Sequence, residues 1–295
     1  MLSKVDSQEM MKGINLSAPA VFILLGFSDY PQLEKVLLLV ISIIYALTLM
    51  GNTAIILVSY LSLKLHTPMY FFLSNLSFLY LCFTTSVVPQ MLWNLKGPRK
   101  TITYIGCVIQ FYIALGLGST ECILLTVMAY NYFNVICRPL HYGVIMNPKL
   151  LKQVAAVAWI SGFVELTIQT ILIFHLSLCN HHRVDDFICK EPALIKIASV
   201  DTAFLENELS IFTVLCVVIP LGLIVVSHGC IVRSVPGMSS AEGRRRAFGT
   251  CGSHMIVVTL FFGTIMSVYI QPKSQYTQNH RFNPVVQIEF SCYIS

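Results

Sequence analysis

The chain has 295 residues, of which 56% are hydrophobic and only 11% charged, and it carries a formal net charge of +5. Water-soluble globular domains carry about 25% charged residues, so an ordinary water-facing surface is excluded, and a mean hydropathy of +0.73 leaves lipid as the solvent for much of the outside. The basic residues fall in short clusters between apolar runs, with no basic face interleaved with aromatics, which excludes nucleic acid as a partner.

Taken in chain order, residues 1–35 form a polar N-terminal tail without the basic start, short apolar run and cleavage site of a signal peptide. The first spanning helix then acts as the targeting signal. A transmembrane helix needs ~20 mostly apolar residues, and six such runs occur, at about Val36–Tyr60, Pro68–Leu92, Thr103–Ile136, Leu151–Ser177, Leu209–Val232 and Phe248–Ile270. Pro220 lies inside the fifth, where lipid-embedded helices tolerate a kink. A polar segment, Leu178 to Asp201, separates the fourth from the fifth. After Pro272, Lys273, His280, Arg281 and Glu289 interrupt the remaining residues, so no seventh span is expected. The expected fold is an all-α polytopic transmembrane bundle over 36–272, with a short tail at 273–295.

Positive residues are held on the cytoplasmic side of membranes, but their count does not orient this bundle. With the N-terminus outside, the inner loops hold Lys64; Arg138, Lys149 and Lys152; and Arg233, Arg244, Arg245 and Arg246, while the outer segments hold at least as many. An outside N-terminus is favoured by the glycosylation sequon at Asn15, which is useful only in a lumenal tail. Asn75-Leu76-Ser77 also matches but lies inside a span. Most cysteines sit in spans as small buried hydrophobes. Cys107, Cys179 and Cys189 instead fall on one side of the membrane, where an oxidising face permits a disulfide. A Cys107–Cys189 bond would close roughly 80 residues and stabilise by ~4 kcal/mol in the chain-entropy model, although sequence alone leaves the pairing open.

Three strings then carry a family resemblance. Leu65-His66-Thr67-Pro68-Met69-Tyr70-Phe71-Phe72-Leu73-Ser74-Asn75-Leu76-Ser77 resembles the start of the second helix of odorant receptors, rhodopsin-like G-protein-coupled receptors. Met128-Ala129-Tyr130 followed by Ile136-Cys137-Arg138-Pro139-Leu140-His141-Tyr142 resembles that family's signature at the inner end of helix three. Arg246-Ala247-Phe248-Gly249-Thr250-Cys251-Gly252-Ser253-His254 is similar to its entry into helix six, and Gly51-Asn52, Trp159 and Pro220 also fit. The resemblance covers roughly residues 15 to 272. It implies an outside N-terminus, a Cys107–Cys189 bridge, delivery to the plasma membrane, binding of a small volatile odorant between helices three, five and six, and coupling to a stimulatory olfactory-type heterotrimeric G protein. No phosphate loop, metalloprotease motif, nucleophile elbow or dinucleotide fingerprint occurs in the sequence, so no cofactor, no metal and no enzymatic activity are expected.

The chain also departs from the family pattern. Where family receptors carry an acid, Arg and Tyr after Met-Ala-Tyr, the sequence reads Asn131, Tyr132 and Phe133, and a neutral phenol has no guanidinium donor fork to offer a G protein. The family's helix-two acid falls on Tyr80, its helix-five Tyr on His228, its helix-six Tyr on Phe262 and a third outer-loop Cys on Ser199. Glu121 matches a family carboxylate associated with a cation site. A lone intramembrane acid is costly when charged, so a neutral carboxyl hydrogen-bonded to a neighbouring helix is the simpler reading. The seventh helix with its Asn-Pro-x-x-x-Tyr element has no counterpart. Phe282-Asn283-Pro284 is similar only by coincidence or through an altered reading frame.

By position, the resemblance implies a ligand site of Ala114, Leu115, Gly118 and Ser119 on helix three, Phe212 and Cys216 on helix five, and Phe262, Ile265 and Tyr269 on helix six. A mostly apolar lining with hydroxyls at Ser119 and Tyr269 suits a volatile hydrophobic ligand. The plainer alternative is ordinary packing, with Gly118 and Ser119 as small residues that let helices approach. The G-protein-facing set would be Asn131, Tyr132, Phe133, Arg138, Arg244, Arg245 and Arg246, and the three arginines equally suit acidic lipid headgroups. His181-His182 with Asp185-Asp186 reads as solvated loop, since adjacent His residues have no fixed ligand geometry. A second function, a truncated receptor-like product retained in the endoplasmic reticulum and signalling nothing, follows from the absent seventh helix.

Overall fold

In the computed structural model, residues 21–24, 31–97, 101–139, 142, 147–175, 183–184, 207, 210–237 and 240–269 are described. Six helices long and apolar enough to cross a membrane are present among them. In chain order these are α1 (Pro31–Leu61), α2 (Pro68–Lys96), α3 (Tyr104–Cys137), α4 (Pro148–His175), α5 (Ile219–Ser234) and α6 (Ala241–Tyr269). The start signals are local: Pro68 opens α2 at the first turn, where a missing N–H costs nothing. The side chains of Thr103, Asn147 and Ser240 accept from the backbone N–H of Gly106, Leu150 and Gly243, capping α3, α4 and α6.

The expected spans correspond to these helices, with shifted ends. α1 begins at Pro31, ahead of the expected Val36, and α6 begins at Ala241, carrying the Arg244–Arg246 run as its first turns instead of as a flanking loop. A turn of π-helix, Val214–Val218, directly precedes α5. Pro220 has no N–H for a carbonyl in that turn, and widening the turn accommodates the lost bond. A second proline, Pro89, lies within α2.

Three short strands, not expected from the sequence, gather at one end: β1 (Val21–Leu24), β2 (Thr101–Thr103) and β3 (Arg183–Val184), in the order β2-β1-β3. β1 runs antiparallel to β2, with Val21 opposite Thr103, and parallel to β3, with Ile23 opposite Arg183. The segments before α1, between α2 and α3, and after α4 therefore share one end of the bundle, as alternate crossing of a membrane requires.

α3 is the central helix. In its most apolar stretch 56% of residues are buried, against 17% in α1 and in the α5 segment. The core joins Phe72 and Leu79 of α2, Leu124 and Leu125 of α3, Ile224 of α5 and Phe262 of α6. Outward faces are apolar as well: Leu39, Ile43, Leu47 and Met50 on α1, and Val225, Val226 and Val232 on α5, are exposed. An exposed aliphatic face of this extent is stable against lipid and not against water. Hydroxyls inside the spans fold back onto their own helix, as Thr48 donates to the Ile44 carbonyl and Thr126 to the Cys122 carbonyl.

Candidate functional site

Helix α3 touches every element of the candidate sites, and its contact with α4 is set by glycine. A Cβ on Gly116 would lie 2.9 Å from Leu166 Cδ2, and one on Gly162 would lie 2.9 Å from the Gly116 carbonyl. Beside this seam the Thr120 hydroxyl donates to the Gly116 carbonyl at 2.8 Å and reaches the Ala158 carbonyl at 3.5 Å. Gly118, the glycine that the sequence offered for close approach, has nothing within 4 Å of its would-be Cβ. Trp159 Nε1 of α4 donates to Asn75 Oδ1 of α2 at 3.3 Å, so the second sequon is occupied in helix packing.

Of the nine expected ligand-site residues, Ala114, Leu115 and Gly118 of α3 are half-buried and Ser119 is buried. Phe262 is part of the core on α6, and Ala114 and Ile265 pack against that same core. Phe212 and Cys216 are half-buried ahead of α5, with Cys216 close to Cys122 of α3. Tyr269 ends α6, and its side chain lies outside the described residues. Between these residues and the far end of the bundle, the Tyr80 hydroxyl donates to Glu121 Oε1 at 2.8 Å, bonding the carboxyl to a neighbouring helix. Cys107 is buried and disulfide-bonded. Asn15, Cys179 and Cys189 lie outside the described residues.

At the end opposite the sheet a cavity of about 500 Å³ opens between α2, α3 and α6. Asn131 and Tyr132 of α3 and Arg246 of α6 line it, together with His66, Met69 and Tyr142. The structure thus brings three of the seven expected G-protein-facing residues to one mouth. The Tyr142 hydroxyl donates to Asn131 Oδ1 at 3.1 Å, and burial pushes its pKa up, so the phenol remains a donor at neutral pH. Arg246 is paired with Glu242 one turn earlier on the exposed helix surface. Phe133 and Arg138 pair with each other instead, the guanidinium carbon lying 5.4 Å above the ring. Arg244 and Arg245 lie on the first turns of α6 away from the cavity lining.

The ring of Tyr132, which stands at the position of the family's arginine, packs edge-on against His254 of α6 with centroids 5.2 Å apart. His66, Tyr142 and Thr250 were not singled out as site residues. All three lie within strings that carry the family resemblance, which is the signal that would have found them.

Comparison with known proteins agrees with this architecture. A family profile described as olfactory receptor matches residues 41–291. Olfactory receptor 2H2 of Homo sapiens is 54% identical over 265 residues, covering 90% of this chain and 85% of the relative. Olfactory receptor 2G3 is 54% identical over 265 residues, covering 90% and 86%. Olfactory receptor 2B2 is 54% identical over 264 residues, covering 90% and 74%, and both of these are also from Homo sapiens.

Proposed function

The chain belongs to the olfactory receptor family and is not an enzyme, and from that premise we propose that it binds a small volatile hydrophobic odorant between α3, α5 and α6 and signals to a stimulatory olfactory-type heterotrimeric G protein. The ligand would lie against Ala114, Leu115, Gly118, Ser119, Phe212, Cys216, Phe262, Ile265 and Tyr269. A mostly apolar wall with few hydroxyls holds such a ligand by burial and orients it by one or two hydrogen bonds. The sheet end would face outward, with a glycan on Asn15 and a Cys107–Cys189 bridge tying α3 to the loop after α4. The opposite end would face the cytoplasm of the plasma membrane.

The single observation that carries the reading is the cavity between α2, α3 and α6, where Asn131, Tyr132 and Arg246 meet. It is large enough to admit a few side chains of a docking helix. A ligand that displaced α6 from α3 would part Tyr132 from His254 and widen this mouth, which is how differential contact at one end becomes a population shift at the other.

The test is expression in cells supplied with the olfactory G protein, with surface labelling and a cAMP readout over an odorant panel. An odorant-dependent rise supports the proposal, and Tyr132→Arg is expected to raise its amplitude at least several-fold by supplying the charged donor fork. A second reading rests on Tyr132 itself, whose phenol occupies the arginine position and packs on His254: a receptor-like product retained in the endoplasmic reticulum that signals nothing. Intracellular retention and a flat cAMP response, for both the natural chain and Tyr132→Arg, would favour it.

A further inference from the structure

Charge is distributed unevenly between the two ends of the bundle. The segments that flank the short sheet, 1–35, 96–103 and 178–208, hold ten acidic and nine basic residues. The segments at the other end, 62–67, 138–152 and 233–246, hold eight basic residues and one carboxylate, Glu242, which is paired with Arg246. Helix periodicity decides where the arginines of the last of these segments point. On α5 the buried Ile224, His228 and Ile231 mark the inward face. Arg233 follows Ile224 by about two and a half turns and so lies on the opposite face, in line with the exposed Val226 and Gly229. On α6 the buried Ala247, Cys251, His254 and Val258 mark the inward face. Arg245 precedes Ile256 by about three turns and is in line with it and with Gly249 and Gly252, all four exposed and opposite that face. Arg246, one residue on, turns to the cavity instead. A further segment that joins the bundle packs on its inward faces, so Arg233 and Arg245 stay outside.

Each of these arginines stands at the end of a lipid-facing stripe. Val232, 57% exposed, adjoins Arg233, and Phe248, 53% exposed, lies one turn into the membrane from Arg245. The guanidiniums therefore sit at headgroup depth, beside lipid and not over the cavity. Neither has an ion-pair partner among the described residues. Cations near the start of α6 oppose its dipole, so the helix itself does not call for them. We propose that Arg233 and Arg245 form a binding surface for the headgroups of acidic phospholipids at the inner ends of α5 and α6. A guanidinium matches a phosphate with two parallel hydrogen bonds. Gly229, Gly249 and Gly252 have nothing within 4 Å of a would-be Cβ, which leaves room for an acyl chain against the helix beneath each headgroup. Lipid is selected over a soluble acidic partner because the side chains leave the bundle sideways, above apolar residues that a bilayer covers. The surface requires a membrane-embedded bundle and is independent of odorant binding and G-protein coupling.

The experiment places the full chain in phosphatidylcholine vesicles that contain a small fraction of a photoreactive lipid, with a diazirine near the glycerol end of one acyl chain. The probe is either phosphatidylserine or phosphatidylcholine, and mass spectrometry maps the adducts. Both leaflets carry the probe, so insertion in either direction gives the same readout. The expected result is labelling of Val232 and Phe248 about fivefold higher with the phosphatidylserine probe, while Leu39, exposed on α1 toward the sheet end, is labelled equally by both. Arg233→Gln abolishes the preference at Val232 and Arg245→Gln that at Phe248, whereas Arg246→Gln keeps both. Helicity and the Cys107 disulfide report that each variant has folded. Equal labelling of Val232 and Phe248 by the two probes overturns the proposal and leaves the arginines to a protein partner. An equal fall in all three variants also overturns it, because a basic surface then acts through its general potential. Displacement by inorganic phosphate at fixed ionic strength does the same, since the arginines then take a free anion.

Discussion

The two sides of α3 solve the same problem differently. Toward α4, two glycines bring the backbones together, and the Thr120 hydroxyl beside them donates to the Gly116 carbonyl and reaches that of Ala158 across the seam. Toward α1 and α6, the described helices stand apart around a groove of about 510 Å³ lined by Asn52, Tyr80 and His254. Hydrophobicity does not distinguish the sides, since lipid is as apolar as leucine. Close approach and internal hydrogen bonding make the α4 side a finished interface, whereas the described residues alone leave space on the other.

The sharpest way to break this contrast is to fill the seam. Gly162→Leu forces a branched side chain into the Gly116 carbonyl and the Thr120 hydroxyl, and a loss of about 3 kcal/mol is expected, measured as a lowered Tm of the detergent-solubilised chain. Its counterpart on Gly118, Gly118→Ala, meets open space and is expected to change stability by no more than about 0.5 kcal/mol. A fall in Tm as large as that of Gly162→Leu would show that the tight contact lies elsewhere.

Next in size, Tyr80→Phe removes the donor to Glu121 Oε1 and leaves a buried carboxyl short of a partner, at about 2 kcal/mol. Glu121→Gln alone keeps an acceptor for the phenol and is expected to cost less. A double-mutant cycle over the two positions gives the coupling directly. A smaller loss is expected across α2 and α4, where Trp159→Phe gives up one 3.3 Å hydrogen bond to Asn75 while keeping a ring to stack on Phe163, costing about 1 kcal/mol. The same thermal measurement ranks all five single variants.

Much of the architecture was legible before any coordinates. The six apolar runs correspond to the six helices, and the strings beginning at Leu65, Met128 and Arg246 carried the family and fell around one mouth. The short sheet was not legible, because β1, β2 and β3 are four, three and two residues long and lack the alternation that marks a strand. The start of α6 was misjudged because a run of arginines reads as loop by hydropathy, although a helix carries charges readily once it leaves the membrane. Among the site residues, the sequence proposed seven for the G-protein mouth and the fold gathered three. Phe133 and Arg138 turned to each other, since neighbouring positions on a helix face different directions.

Composition and the length of each apolar run determined by themselves that this chain lives in lipid and that the described residues hold six helices able to cross it, and its strings of residues carry the marks of its family. Those are properties of one segment at a time, summed over about twenty residues. Tertiary structure alone decided which glycines touch, that Tyr80 serves Glu121 from 41 residues away, and that His228 meets His254, 26 residues later, ring against ring. Such pairings depend on the rotation and depth of one helix against another, which a hydrophobic run leaves free and only side-chain packing and hydrogen-bond direction fix.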